Sequence, residues 1–482
     1  MGVDTLPLNS DRARQLEVGS ASASFYLLVG LLVVCLLGGG SSFIDTQSLL
    51  YVRPFAVLAL FLFLGLPGAL NLRLVKVPLA LLAGWIGLIL LQLIPLPPGL
   101  WASLPGHMSY VEVADAMGFP QPWRPLSLTP DLTLNALANT LIPLAVLVGF
   151  AKLSAPERGA FVPVIIGMFC ASVALGIVQI AMGASSIAYL YSHTNPGLPV
   201  GFLANRNHHA VMLGAGFPLL LTWLKRDRKG GHEGGKLRLG VALLLGLLFA
   251  LTILTTGSRA GAAALLLSLA MTGFLAIRDR RRDQRGRVSR WITGAVLLVA
   301  IGLLAVVSFQ LGRALSIDRL ISPQGQLQKD LRFSYFPQTI AIGNRFFPFG
   351  SGIGSFEPVF INFEPDEMLS DQYANQAHND LLDIYMTAGV PGLLILAPFI
   401  AWVVISGLSL LRRGRDEPTP RLAQLGLVII LLLLLASLVD YPLRTPLLSA
   451  LFAVCCGWLC TGQRLPQPRQ AHAIEGGSLI RL

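Results

Sequence analysis

The sequence predicts an all-α integral membrane protein of about twelve transmembrane helices, with a large water-facing loop between the ninth and the tenth. Three observations predict it. Hydrophobic residues make up 54% of the 482 and charged residues 13%, at a mean hydropathy of +0.67, whereas a soluble domain carries about 25% charge. Apolar runs close to the ~20 residues needed to cross a bilayer recur along the whole length. Lys and Arg also favour alternate connections. With a cytoplasmic N-terminus, the inner segments hold 26 of the 36, the bias that keeps positive charge on the cytoplasmic side.

A tail, 1–23, comes first. Its first twenty residues are polar and carry acids, so the first apolar segment is expected to be a retained helix rather than a cleaved signal. Spans one to nine occupy 24–309, near 24–43, 49–70, 77–95, 132–151, 160–182, 207–224, 239–256, 260–277 and 291–309. The large loop is 310–381. Spans ten to twelve occupy 382–463, near 382–411, 422–439 and 446–463, and a second tail, 464–482, follows. Both tails are expected to be cytoplasmic.

Two other outer loops exceed a tight turn. Residues 96–131 hold Trp101, His107, Trp123 and Arg124, and residues 183–206 hold His193 and end in Asn205-Arg206. A connection of about 70 residues without structure of its own is uncommon inside a compact domain. The large loop accordingly contains an amphipathic stretch at Leu331–Phe336, a glycine-rich run at Phe347–Phe356 and later acids. Short helices over the mouth of the bundle are expected there.

The net charge of +11 is concentrated in 225–238 and 278–290. These clusters read as topology anchors against anionic lipid heads, with membrane lipids as partners and no nucleic acid. Cys35, Cys170, Cys455, Cys456 and Cys460 all fall in expected spans. They imply neither a disulfide framework nor a cysteine metal site, and Cys456 and Cys460 read as small packing residues.

Several motifs carry polar chemistry. Gly350-x-Gly-x-Gly lacks the preceding strand and following helix of a dinucleotide fingerprint and reads as a tight loop. Thr255–Gly261 joins two spans with almost no loop, which leaves Arg259 at the outer interface. Such an arginine either reaches toward the head groups or offers its fork of donors to a diphosphate. Phe202–His209 opens the sixth span with Asn205, Arg206, Asn207, His208 and His209. This is either ordinary capping or an anion site at a helix start, and the histidine pair has no carboxylate at metal-ligand spacing. Arg332 is flanked by Phe333, Tyr335 and Phe336, on a helix expected to bed against the membrane surface. Asp440-Tyr441-Pro442-Leu443-Arg444 forms a short outer turn that reads as an Asp440–Arg444 pair. His378 closes the large loop ahead of Asn379, Asp380 and Asp383, neighbours able to orient an imidazole that acts as a base. It is also readable as a satisfied loop histidine.

His378-Asn379, nine residues, then Gly389-x-x-Gly392 resembles the histidine signature of the O-antigen ligase and O-antigen polymerase superfamily of bacterial membrane proteins. Gly257-Ser258-Arg259 between closely linked helices, the late outer loop with Arg332, and Asn205-Arg206-Asn207 are similar to that family as well. The resemblance covers about 200–400. It implies a GT-C-like architecture in the bacterial inner membrane and glycosyl transfer at its periplasmic face, with no metal and no cofactor. The donor would be a glycan on undecaprenyl diphosphate. The acceptor would be a hydroxyl of lipid A core or of a second lipid-linked glycan. His378 would be the general base and Arg259 and Arg332, with Arg206, would hold the diphosphate. Asn379, Asn207, Gly389 and Gly392 would support them.

A transporter or flippase of lipid-linked sugars is the competing class. It calls for internal repeats and charges at mid-membrane depth, whereas here the polar groups crowd the outer face and no repeat stands out. A scaffold in a polysaccharide export complex is a third class, and it would not need His378.

Overall fold

A computed structural model describes residues 21–226, 231–282, 331–368, 375–413 and 420–462. Among them the chain is mostly helical, with almost no strand. The helices are α1 (Ala23–Gly38), α2 (Leu49–Gly65), α3 (Lys76–Gln92), α4 (Pro98–Ala102), α5 (Met108–Ala116), α6 (Pro130–Lys152), α7 (Ala155–Met182), α8 (Arg206–Gly214), α9 (Gly216–Arg226), α10 (Gly231–Thr255), α11 (Arg259–Arg282), α12 (Leu331–Arg345), α13 (Phe356–Phe363), α14 (Asp380–Arg412), α15 (Arg421–Ala436) and α16 (Pro446–Cys460). Five stretches are long and apolar enough to cross a membrane: Pro130–Lys152, Ala155–Met182, Gly234–Thr255, Arg259–Arg278 and Asp380–Arg412. Five shorter apolar helices accompany them. This is a helical membrane protein.

Helices stand at every expected span except 291–309, which lies outside the described residues, as do the two tails up to residue 20 and beyond 462. The sixth expected span is divided at Ala215 into α8 and α9. The first ends at Gly38 rather than near residue 43, because Gly39 and Gly40 lie against the backbone of Leu447 and Phe202, where a side chain would not fit. A two-residue antiparallel ladder, β1 (Pro95–Leu96) with β2 (Arg124–Pro125), ties the 93–129 loop together.

Local sequence accounts for many helix starts. Ser154 and Glu157 form a reciprocal capping box on α7, Thr445 caps α16 ahead of Pro446, and Asn379 caps α14 by accepting from Leu381 N and Leu382 N. The main core is a continuous apolar cluster drawn from α1, α2, α6 to α11 and α14 to α16. A second, smaller cluster, with Tyr335, Phe346, Phe356 and Phe360, builds the cap formed by α12 and α13.

The glycine run 350–354 docks this cap onto the bundle. α14 is kinked at Gly389 (φ 57, ψ −148), which frees carbonyls of the turn before it. The run takes them: Ser351 N donates to Met386 O (3.0 Å), Gly352 N to Thr387 O (2.9 Å), and Val390 N returns a bond to Pro348 O (2.8 Å). A Cβ at Gly389 would lie 2.1 Å from Pro348 O, so both the positive φ and the close approach require glycine. Gly392 packs its bare face against Ala388 and Ile384. Gln92 at the end of α3 completes the joint, donating to Thr387 O and accepting from Ile353 N.

Candidate functional site

The starts of α8, α11, α14 and α16 gather at one end of the bundle, and the polar residues there form one network around Asp440. This aspartate precedes the short 3-10 turn Pro442–Arg444 between α15 and α16 and is 2% exposed. Its Oδ2 accepts from Asn207 Nδ2 (2.8 Å) and its Oδ1 from Tyr441 N (3.0 Å). His208 Nε2 and His378 Nδ1 each lie 3.5 Å from Oδ1. That is ion-pair range, longer than the ~2.7–3.2 Å of a formed N–H···O bond. The Tyr441 ring lies against both imidazoles, at centroid distances of 5.1 Å to His208 and 4.9 Å to His378. Burial pushes the Asp440 carboxyl up, but the imidazoles of His208 and His378 outweigh it and hold the group well below the usual carboxylate range.

Local backbone delivers each member. His378 has a left-handed backbone (φ 52), unusual outside glycine, just before the Asn379 cap. That turn points Nδ1 at Asp440, in a side chain that is 17% exposed. Asp380 N donates to Ser437 O (2.8 Å), which fixes the start of α14 against the end of α15. On α8, Asn205 does the capping, accepting from Asn207 N. The Asn207 side chain is therefore free to bridge, accepting from Ser258 Oγ (2.6 Å) while donating to Asp440. Ser258 Oγ in turn accepts from Gly261 N at the start of α11.

The cations sit on the rim of this network. Arg206 Nη1 donates a long bond to Thr256 O (3.4 Å) and lies beside Gly257. Arg259, the first residue of α11, is exposed and its guanidinium has no partner among the described residues. The two arginines therefore flank one turn. Arg332 belongs to α12, which packs along the first part of α14 with Gly343 against Tyr385; its side chain lies outside the described residues.

Two sequence expectations are corrected here. Asp440 does not pair with Arg444. Arg444 instead bonds Asp380 (3.2 Å) and Asp383 (2.7 Å), clamping α14 to the turn before α16. The pairing also removes Asp380 and Asp383 as partners of His378, and Asn379 serves as a helix cap, so the carboxylate beside the imidazole is Asp440. Asp440, His208 and Tyr441 were the residues that sequence reasoning missed. The available signal was parity: alternating spans bring residues 208, 258, 378 and 440 to the same end of the bundle.

Elsewhere, His209 is held by Ser172 Oγ and Pro199 O, and His107 by Pro105 O and Leu126 O, so both are structural. Among the described residues no group of three or more His, Cys, Asp or Glu is arranged to hold a metal ion.

No curated protein matches the chain. Residues 243–397 match the family model described as O-antigen ligase. That segment runs from α10 to the first half of α14 and contains Ser258, Arg259, His378, Gly389 and Gly392, while Arg206, Asn207, His208 and Asp440 lie outside it. This matched segment carries both the Gly257-Ser258-Arg259 turn and the His378-to-Gly392 signature, and it supports the resemblance to the O-antigen ligase and polymerase superfamily.

Proposed function

We propose that this protein is a glycosyltransferase of the bacterial inner membrane, acting at the periplasmic face without a metal. It transfers a glycan from undecaprenyl diphosphate to an acceptor hydroxyl on lipid A core or on a second lipid-linked glycan. The observation that carries the reading is the His378 imidazole, 3.5 Å from the buried Asp440 carboxylate and 17% exposed, at the end of the bundle where Arg259 stands without a partner among the described residues.

In this reading His378 Nε2 takes the proton from the acceptor hydroxyl as its oxygen bonds to the anomeric carbon. The bond from that carbon to the diphosphate oxygen breaks, and the electron pair leaves on the diphosphate. Asp440 orients the ring and stabilises the imidazolium that forms. Arg259 and Arg206, with Arg332, oppose the charge gathering on the leaving group; a planar fork of donors suits phosphate oxygens better than a point charge. Such fixed donors are most effective in a site poor in water.

The test is reconstitution of purified protein with a lipid-linked donor and each of the two acceptors. Product with one acceptor assigns ligase or polymerase. No product with either, or loss of product on adding a chelator, would overturn the reading or its metal-free form respectively. Orientation is tested separately, with a cysteine placed at exposed Met117. It should react with an impermeant thiol reagent from the periplasmic side of intact cells, and reaction only after lysis would reverse the topology.

A further inference from the structure

Arg53 lies one turn inside the apolar helix α2, at the end of the bundle that carries the histidines. The loop before α2 meets the starts of α8 and α16 there, through Ala204 N to Gly40 O (3.0 Å) and Leu447 N to Gly39 O (2.9 Å). The guanidinium is half-buried and held in one pose by α6: Nε donates to Asn139 Oδ1 (3.0 Å) and Nη2 to Asn135 Oδ1 (2.5 Å). Both acceptors are neutral amides. Among the described residues no carboxylate lies within ion-pair distance of Arg53, and its Nη1 has no protein partner.

An arginine within a membrane helix is costly unless it is paired or functional. Amide oxygens orient the fork but leave its full charge in place, and the free edge still presents N–H donors. Arg444, in contrast, is neutralised by two aspartates in the same protein. The difference between these two arginines is what an anion from outside the chain would need. We propose that Arg53, positioned by Asn135 and Asn139, binds the phosphate of an anionic lipid: either the diphosphate of a polyprenyl-linked molecule or the headgroup phosphate of a phospholipid. Its partners, Asn135 and Asn139, are not those of Arg206, and it does not depend on the transfer chemistry.

The experiment uses the full-length protein in nanodiscs of phosphatidylcholine, with or without phosphatidylglycerol, and titrates farnesyl diphosphate as the soluble probe. Unfolding midpoints and probe affinity are read for the native protein, Arg53→Gln and Asn139→Asp. The second variant keeps Arg53 in place as an ion pair but cancels its charge, so an unchanged or raised midpoint without probe separates lost binding from lost folding. Loss of one or two charge-assisted hydrogen bonds should weaken binding roughly 10- to 100-fold. Loss confined to farnesyl diphosphate assigns the polyprenyl diphosphate. Loss confined to the midpoint rise given by phosphatidylglycerol assigns the phospholipid. If both variants respond to both phosphates as the native protein does, the site does not exist.

Discussion

Arg421 and Arg259 both stand at a helix start, at opposite ends of the bundle, and they are used differently. At the end away from the histidines the cations close on backbone carbonyls. Arg421 donates to Lys225 O (2.5 Å), Arg278 to Leu410 O and Leu411 O (2.8 and 2.7 Å), Lys152 to Leu66 O (2.7 Å), and Arg413 and Arg226 to Gly462 O and Gly159 O. Most of these oxygens terminate helices, where cations satisfy orphan carbonyls and oppose the helix dipole. At the other end Arg259 is open, Arg206 holds one long bond, and two imidazoles share a single carboxylate. The number of positive charges therefore does not separate anchor from site. What separates them is whether the chain itself supplies the acceptor.

The largest expected effect falls on His378. His378→Ala should lower transfer by about 10²–10⁴-fold, the usual loss of a general base, at unchanged protein level. Normal turnover in the alanine variant with purified donor would remove the base from the site end.

Arg259→Ala should cost on the order of 10²-fold, with poor rescue by Lys. The paired measurement is Arg421→Gln at the opposite end. It should leave turnover unchanged and lower stability by about 1 kcal/mol, the net worth of one hydrogen bond. Equal losses of activity in both would erase the distinction between the ends.

Asp440→Asn should reduce turnover roughly 10- to 100-fold, from a lost charge-assisted contact. It also gives a stability test. The native carboxyl titrates well below its usual range in the folded protein. Its contribution is therefore fully present above the ordinary aspartate range near pH ~4 and is lost as pH falls through the folded value. Unfolding midpoints in detergent should drop more steeply below about pH 4 for the native protein than for Asp440→Asn. Parallel curves would mean that the two histidines do not act on Asp440. Gly389→Ala acts on folding rather than on chemistry, at roughly 1–3 kcal/mol for the strained backbone, read as a lower unfolding midpoint with the residual folded enzyme still active.

Much of this could be read along the chain. Among the described residues the apolar runs that mark spans became helices within a few residues, because a bilayer-length apolar run has to satisfy its backbone internally. The glycine loop was legible as a tight backbone approach, and its partner proved to be the Gly389 kink. Helix ends were less legible: α1 stops early because of what Gly40 touches, not because of any local breaker.

By itself, the sequence determined the membrane class, the positions of the apolar helices, the uneven placement of charge and the His378-to-Gly392 signature. All of these are set by composition and by spacing within a few turns of chain. Only the tertiary structure decided which polar groups meet. Asn207 and Asp440 are 233 residues apart, and nothing in periodicity or hydropathy couples them. Within the turn itself Arg444 looked like the natural partner of Asp440. Packing of α8 against α15 gave Asp440 to the imidazoles instead, and the start of α14 supplied Arg444 with Asp380 and Asp383. A buried charge pairs with whatever the packed helices bring within a few ångströms, and that is a property of the assembled bundle.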